Sequence, residues 1–168
     1  MILDEDLDKR YTENFRKPQY RALTTGTAGH NKSAVHWVYG IPCILPNANG
    51  KYPGKVNTIR TANGSIYPIK PDTLSEYTGC EDCKGQPIYE GDIICKNRSY
   101  IRWVQYNEKY SAYITVRKGG NGDYNADYLA KGDSLCRNIE IIGNIWQNPK
   151  LLKQRCYTTY SLEEVYND

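Results

Sequence analysis

Short runs of alternating apolar and polar residues, each ended by a glycine or Asn-Gly turn, most constrain the fold of this 168-residue chain. The clearest case is TANGS, residues 61–65, which separates VNTIR from IYPIK and predicts a β-hairpin. A second hairpin is predicted where NEK, residues 107–109, separates YIRWVQY from YSAYITV. Few segments of the chain have helical periodicity. The pattern predicts a mainly β chain of antiparallel hairpins, α+β at most.

Further strands are predicted in YRALTT, in AVHWVYGI, in a run that starts near Asp92, and in NIEIIGNIW. In AVHWVYGI, Val35, Trp37 and Tyr39 are expected on one face, with His36 and Val38 on the other. A bulge or a close-packing point is predicted at Gly143. The segment RKGGNGDYNADY is predicted to be a surface loop, because three glycines fall within four residues.

Four segments are predicted along the chain. An N-terminal arm covers residues 1–17, and a basic β-rich part covers 18–71. Residues 72–152 are expected to form a small SH3-like or half-open β-barrel, closed by a helical turn that begins at Pro149. A C-terminal tail, 153–168, follows. Short helices are predicted in the arm and at the C-terminus.

The net charge of +3 conceals a strong asymmetry. Residues 1–8 carry four acidic side chains and no basic one. Residues 9–70 carry ten Lys or Arg and one acid, whereas residues 71–168 carry twelve bases and fourteen acids. A basic half of this kind predicts an anionic partner. The candidates are nucleic acid, an acidic protein, or the acidic N-terminus of another copy in a homo-oligomer.

Composition narrows the class of protein. No stretch approaches the roughly 18 apolar residues that a membrane span needs, so no membrane partner is expected. The N-terminus lacks the layout of a signal peptide, and the six cysteines are therefore expected to be reduced in a cytoplasmic protein. Sixteen tyrosines and three tryptophans favour interfaces, because these side chains combine a large apolar ring with a polar group.

Several motifs in this order resemble the YopX-like proteins of phages and prophages. They are QYRALTT, WVYG, IKPDTLSEYTG, IYEGDII and EIIGNIWQNPKLL, and the resemblance covers about residues 19–152. It implies a β-rich fold with a small barrel-like C-terminal part, an oligomer, and a phage or prophage gene expressed in a bacterial cytoplasm. The resemblance does not indicate any particular activity. Residues 1–15 and the tail after Lys153 lie outside it.

The CxxC pair in YTGCEDCKGQPIYEGDII could be a metal site, a redox site or a structural turn. Zinc commonly takes four such ligands, and here only Cys80 and Cys83 are grouped. The resemblance implies Leu in relatives at the place of Cys80 and a Lys-type residue at the place of Cys83. A structural turn is therefore predicted, with no metal and no cofactor.

Catalysis has little support in the sequence. The two histidines, His30 and His36, are not grouped with cysteines, and a nucleophile needs a neighbouring base. The acids Asp123, Asp127 and Asp133 lack the spacing of a calcium loop, and GGNG lacks the Lys-Ser/Thr of a phosphate-binding loop. No catalytic residue is assigned, and the chain is not expected to be an enzyme.

The sequence thus predicts a phage-associated accessory protein that works by binding or self-assembly. Its partner would be a further copy or a host protein. The alternative is a nucleic-acid-binding protein that uses its basic, aromatic N-terminal half. From charge and aromatic placement, the predicted contact residues are Arg21, Trp37, Lys51, Lys55 and Arg60.

Overall fold

A computed structural model describes residues 19–26, 35–45, 57–96, 100–119, 123–130 and 138–153. Within these ranges the chain forms β-strands and two short 3-10 turns, Pro71–Thr73 and Pro149–Lys153, but no α-helix. The strands are β1 (Tyr20–Leu23), β2 (Trp37–Cys43), β3 (Thr58–Arg60), β4 (Ile66–Pro68), β5 (Ser75–Glu81), β6 (Pro87–Tyr89), β7 (Asp92–Lys96), β8 (Tyr100–Asn107), β9 (Ala112–Lys118), β10 (Tyr124–Tyr128) and β11 (Ile139–Asn144). The prediction of a mainly β chain is confirmed.

The strands form two antiparallel sheets. A six-stranded sheet has the order β4-β3-β2-β1-β5-β6, and a five-stranded sheet has the order β10-β9-β8-β7-β11. Since β10 and β11 lie at opposite edges, the described residues of the second sheet form no closed barrel. The SH3-like, half-open form predicted from the sequence stays a prediction.

The chain divides into two compact units, Met1–Tyr77 and Thr78–Asp168. Strand β5 begins in the first unit and ends in the second. The segment boundaries predicted at residues 17, 71 and 152 stay predictions. The predicted helices of the arm and of the last residues lie outside the described residues.

The first unit is built around a small apolar core beneath β1 to β4. Its buried members come from three strands and the bridge after β4: Ala22, Val38, Ile59 and Ile69. The predicted hairpin is confirmed, since β3 and β4 pair through Ile59↔Tyr67. Its turn is closed by the amide of Gly64, which donates to the carbonyl of Thr61 at 2.9 Å. The φ of Gly64, +85°, explains why glycine follows asparagine here.

The second unit has a larger core, contributed mainly by strands β5, β6, β7, β8 and β11. Its buried members are Cys80, Ile88, Ile94, Val104, Leu129 and Ile139. The second predicted hairpin is also confirmed, because β8 and β9 pair from Trp103↔Val116 to Asn107↔Ala112. The predicted helical turn after Asn148 is the 3-10 turn Pro149–Lys153, which buries Leu151.

The prediction of a loop throughout residues 117–128 is wrong, because Tyr124–Tyr128 forms strand β10. This strand pairs with β9 through Ala126↔Val116. The sequence did not reveal it, because Asn125, Ala126 and Asp127 are residues that strands usually disfavour. Pairing with the apolar β9 outweighs that weak local preference.

Candidate binding surface

An exposed apolar row crosses strands β2, β3 and β4 on one face of the first sheet. Ile41 lies opposite Arg60, and Arg60 lies opposite Ile66, so the three side chains share a face. Ile41 is 69% exposed and Ile66 is 47% exposed. Tyr39, two residues before Ile41 on β2, is 41% exposed on the same face. We call Tyr39, Ile41, Arg60 and Ile66 the β2–β4 face.

Gly40 holds β2 and β3 together beneath this face. A β-carbon at Gly40 would lie 2.0 Å from the carbonyl oxygen of Arg60. Only a residue without a side chain therefore allows the two backbones to approach so closely. The glycine of WVYG thus fixes where Ile41 and Arg60 emerge from the sheet.

The predicted contact residues Arg21 and Trp37 meet on the same face, nearer to β1. The guanidinium carbon of Arg21 lies 4.3 Å from the centre of the Trp37 ring, in cation–π geometry. Arg21 is buried, at 7% exposure, and Trp37 is half-buried. Arg60 is exposed. The remaining two predicted residues, Lys51 and Lys55, lie outside the described residues.

The first sheet also contains a tyrosine, Tyr20, whose pKa is raised. Burial raises the pKa of Tyr20, and the neighbouring carboxylate of Glu76 raises it further by charge and by accepting the phenol hydrogen bond at 3.3 Å. Tyr20 and Glu76 are direct partners across β1 and β5. The pair therefore supports strand pairing.

In the second unit, the CxxC segment runs from the end of β5 into the connection to β6, and Asp82 organises that connection. Asp82 is 6% exposed. Its Oδ1 accepts the amides of Lys84 at 2.8 Å and Gln86 at 2.9 Å. Cys80 is buried in the core, whereas Cys83 is exposed. These contacts support the interpretation of the segment as a turn.

Asp82 also ties this turn to β11. Its Oδ2 accepts the amide of Ile141 at 3.2 Å, and the amide of Cys83 donates to the carbonyl of Ile139 at 2.8 Å. Lys84 forms an ion pair with Glu140, and the hydrogen bond to that carboxylate raises the pKa of Lys84. The turn thus docks onto a strand that lies far away in the sequence.

A second long-range contact joins IYEGDII to GNIWQNP. The amide of Ile145 donates to the carbonyl of Gly91 at 2.9 Å, and the φ of Gly91 is +78°. The turn after β11 is held by Asn144, which is buried. Its Oδ1 accepts the amides of Trp146 at 3.2 Å and Gln147 at 2.9 Å. The motifs that carry the family resemblance therefore interlock in the fold of the second unit.

The prediction that Gly143 marks a bulge or a close-packing point is confirmed. The pairing of β11 with β7 shifts register between Ile141 and Gly143. A β-carbon at Gly143 would lie 2.7 Å from Oδ1 of Asn148. The bulge therefore makes room for the asparagine side chain that closes the following turn.

A charge cluster on the second sheet has no counterpart in the sequence motifs. Oδ2 of Asp127 lies 3.0 Å from Nζ of Lys96 and 3.0 Å from Nη2 of Arg102. The hydrogen bond from Lys96 lowers the pKa of Asp127, and the charges of Arg102, Lys96 and Arg117 lower it further. Arg117 also lies over the ring of Tyr100, 4.5 Å from its centre. The only available sequence signal was the alternation in YIRWVQY, which places Arg102 beside Val104 on one face.

The candidate metal and catalytic residues do not assemble in the part of the chain that the structure describes. No three His, Cys, Asp or Glu side chains there are grouped closely enough to hold a metal ion. His36 is exposed and meets Tyr67 edge-on, with ring centres 6.1 Å apart. His30 and Asp133 lie outside the described residues. No described helix is long and apolar enough to cross a membrane.

Comparison with protein families gives one match. Residues 32–153 match the family model for the YopX protein. The match covers more than half of the chain and includes every motif of the resemblance that follows residue 31. A comparison with curated proteins gave no significant match.

Proposed function

Because this chain belongs to the YopX family of phage-related proteins, we propose that it is an accessory protein that works by binding and not by catalysis. The contact we propose is self-association through the β2–β4 face, in the cytoplasm of a bacterial host. The observation that carries the proposal is the row Ile41–Arg60–Ile66, in which two well-exposed isoleucines flank one cation on the sheet.

Removal of exposed branched aliphatic side chains from water stabilises the complex that covers them. Burial of a side chain as large as isoleucine contributes about 1.5–3 kcal/mol. Scattered exposed apolar residues are ordinary, but Ile41 and Ile66 lie in one row with Tyr39 beside them. Apolar and aromatic residues with an arginine are the composition of protein–protein interface cores.

The acidic N-terminal segment supplies a complementary charge. Residues 4–8 contain four carboxylates, and the β2–β4 face presents the exposed Arg60. Because the carboxylates of this segment and the guanidinium of Arg60 carry opposite charges, the arm of one copy is expected to bind the face of another. Removal of residues 1–15 tests this part separately. An unchanged sedimentation profile would show that the arm takes no part in assembly.

Nucleic acid is the weaker alternative for this face. Aromatic rings that stack on bases and several exposed cations characterise single-strand binding surfaces. The described β2–β4 face instead exposes two isoleucines and one tyrosine, with Arg60 as its exposed cation. This composition favours a protein partner.

The test compares two nearly isosteric double variants. Ile41→Thr with Ile66→Thr keeps β-branched side chains and strand preference but adds hydroxyls to the face. Ile41→Val with Ile66→Val keeps the face apolar. Sedimentation velocity of the full chain should show that the Thr variant dissociates at least about tenfold more readily than the Val variant. Equal association of the two variants would overturn the proposed face.

A mobility-shift experiment addresses the alternative. Labelled single- and double-stranded DNA and RNA should give no shift with micromolar protein at moderate salt. A shift that weakens steeply with salt, and that Arg60→Ala reduces, would replace self-association with nucleic-acid binding as the function of this face.

A further inference from the structure

Strand β10 is an open edge that differs from the other three sheet edges. Edge strands invite pairing with another chain, and proteins commonly block them with proline, charge or a bulge. Strand β4 carries Pro68, β6 begins with Pro87, and β11 has a bulge between Ile141 and Gly143. Strand β10, Tyr124–Tyr128, contains neither proline nor bulge, and its one charged side chain, Asp127, is paired with Lys96 and Arg102. Among the described residues it pairs with β9 alone.

The direction of the outer backbone groups of β10 follows from its pairing with β9. The amide of Gly119 donates to the carbonyl of Asp123, and the amide of Leu129 donates to the carbonyl of Tyr113 at 2.9 Å. Hydrogen-bonded residues alternate along an antiparallel strand, so 123, 125, 127 and 129 bond to β9. The N–H and C=O groups of Tyr124, Ala126 and Tyr128 therefore point away from the sheet.

The side chains of this edge are already arranged on two distinct faces. Tyr124 is 65% exposed and meets Trp103 edge-on, with ring centres 6.0 Å apart. Tyr128 is 54% exposed and meets Tyr110 in the same way at 5.9 Å. Asp127 lies on the opposite face with Lys96 and Arg102. These ring contacts and ion pairs within the second unit fix the side chains of β10, and the outer side of the strand remains exposed.

The sequence of β10, Tyr-Asn-Ala-Asp-Tyr, is nearly symmetric about Ala126. If two copies pair antiparallel about a two-fold axis at Ala126, Tyr124 of one copy lies opposite Tyr128 of the other. Asn125 then lies opposite Asp127 of the partner, so no two carboxylates face each other. A two-fold homodimer interface requires that the same patch on both copies be complementary to itself, and this register of β10 meets that requirement.

We propose that β10 is a self-pairing edge, which joins two copies of this chain into one continuous antiparallel sheet. Tyr124, Ala126 and Tyr128 supply three hydrogen-bonded residue pairs, and so about six backbone hydrogen bonds. Cross-strand tyrosine pairs cover one face of the junction. On the other face, the Asn125 amide donates to Oδ1 of the partner's Asp127, whose Oδ2 is engaged by Lys96 and Arg102.

This inference deepens the proposed self-assembly and rests on it, but it uses a different surface from the β2–β4 face. A five-residue edge buries much less area than a standard interface of roughly 1,600 Å². The contact is therefore expected to be weak by itself and to strengthen assembly when the β2–β4 face is also engaged.

The first test uses proline. Ala126→Pro removes an outward amide that β9 does not use and places a ring on the pairing edge. Ala62→Pro is the matched control, because Ala62 occupies the second position of the Thr61–Gly64 turn, where proline is favoured. In sedimentation velocity of the full chain, Ala126→Pro should raise the dimer dissociation constant at least about tenfold, and Ala62→Pro should leave it unchanged. Equal association of both variants would overturn the edge.

The second test uses cross-linking and does not depend on the stability of the proline variant. In the proposed register Ala126 faces its own counterpart at a Cα separation near 5.5 Å, within the range of a disulfide. Ala126→Cys should form a covalent dimer on mild oxidation, above the baseline of the unsubstituted chain. Asn125→Cys faces a different residue on the partner and should not. Cross-linking of Asn125→Cys at the same level would refute the register.

The two proposals can fail independently. If the Ile41/Ile66 Thr variant loses association and Ala126→Cys still cross-links, both surfaces are supported. Cross-linking without any effect of the Thr variant would retain the edge and reject the β2–β4 face. No cross-linking, with a strong effect of the Thr variant, would reject the edge and retain the face.

Discussion

Trp146 occupies the space that a side chain at Gly91 would need. An ideal β-carbon at Gly91 would lie 2.1 Å from Cη2 of the Trp146 ring, and φ at Gly91 is +78°. Two motifs that are widely separated in the sequence therefore fit together only when one of them presents a glycine. This relationship gives the motifs IYEGDII and GNIWQNP a structural role.

The first prediction tests this contact. Gly91→Ala should destabilise the protein more than Gly85→Ala, which has a similar φ of +76° but no atom within 4 Å of its β-carbon. Backbone strain alone should cost about 1–2 kcal/mol at Gly85, and the clash with Trp146 should add about 1–3 kcal/mol at Gly91. Urea denaturation measures both. In a Trp146→Ala background the difference between the two glycine variants should shrink, and a persistent difference would contradict the contact.

The second prediction separates a structural turn from a metal site at the CxxC segment. Asp82→Ala leaves three amides without their acceptor and should cost about 2–4 kcal/mol of unfolding free energy. Cys83→Ser, at an exposed thiol, should change it by less than about 0.5 kcal/mol. If Cys83 were a metal ligand, Cys83→Ser would cost more unfolding free energy than Asp82→Ala, because the variant would lose the bound metal. Thermal unfolding with and without a chelator gives an independent readout, and we expect no shift.

The third prediction concerns pH. The lowered pKa of Asp127 means that its ion pairs stabilise the folded state fully above about pH 4, near the ordinary value, and progressively less as pH falls through the folded-state pKa. Asp127→Asn should cost about 1–2 kcal/mol at neutral pH, a modest figure because the carboxylate is 40% exposed. The difference in unfolding free energy between the parent and this variant should narrow toward pH 3.

A matched control for the pH experiment is Asp123→Asn. Asp123 is exposed and precedes the same strand. Its replacement should change the unfolding free energy by less than about 0.5 kcal/mol at neutral pH. If the Asp127 variant showed a constant difference from the parent at all pH values, the stabilising role of its ionised form would be wrong.

The hairpins were predictable because their information is local. Asn63-Gly64 lies between two alternating runs, and the positive φ of Gly64 is what that turn requires. Strand β10 was not predictable in this way. Its residues Asn125, Ala126 and Asp127 have weak strand preference, and the strand exists because β9 offers a partner.

The candidate surface was predictable only in part. Charge and aromatic content indicated the first unit and singled out Arg60, which is exposed on the β2–β4 face. They did not single out Ile41 or Ile66, because exposure of an isoleucine depends on cross-strand register. Charge and aromatic content also did not reveal that Asp82 stabilises the CxxC turn. One of its hydrogen-bond partners, Ile141, lies on a strand distant in the sequence.

The last prediction joins fold stability to the proposed surface. Gly40→Ala places a methyl group 2.0 Å from the carbonyl oxygen of Arg60, and neither backbone can yield without breaking the β2–β3 pairing. We expect a loss of about 3 kcal/mol or more in urea denaturation. Gly64→Ala, with nothing within 4 Å of its β-carbon, should lose only the cost of its positive φ. Because Ile41 directly follows Gly40, the Gly40 variant should also lose self-association through the β2–β4 face under conditions where it is still folded. A Gly40→Ala protein as stable as Gly64→Ala would show that β2 and β3 do not approach as closely as the structure describes.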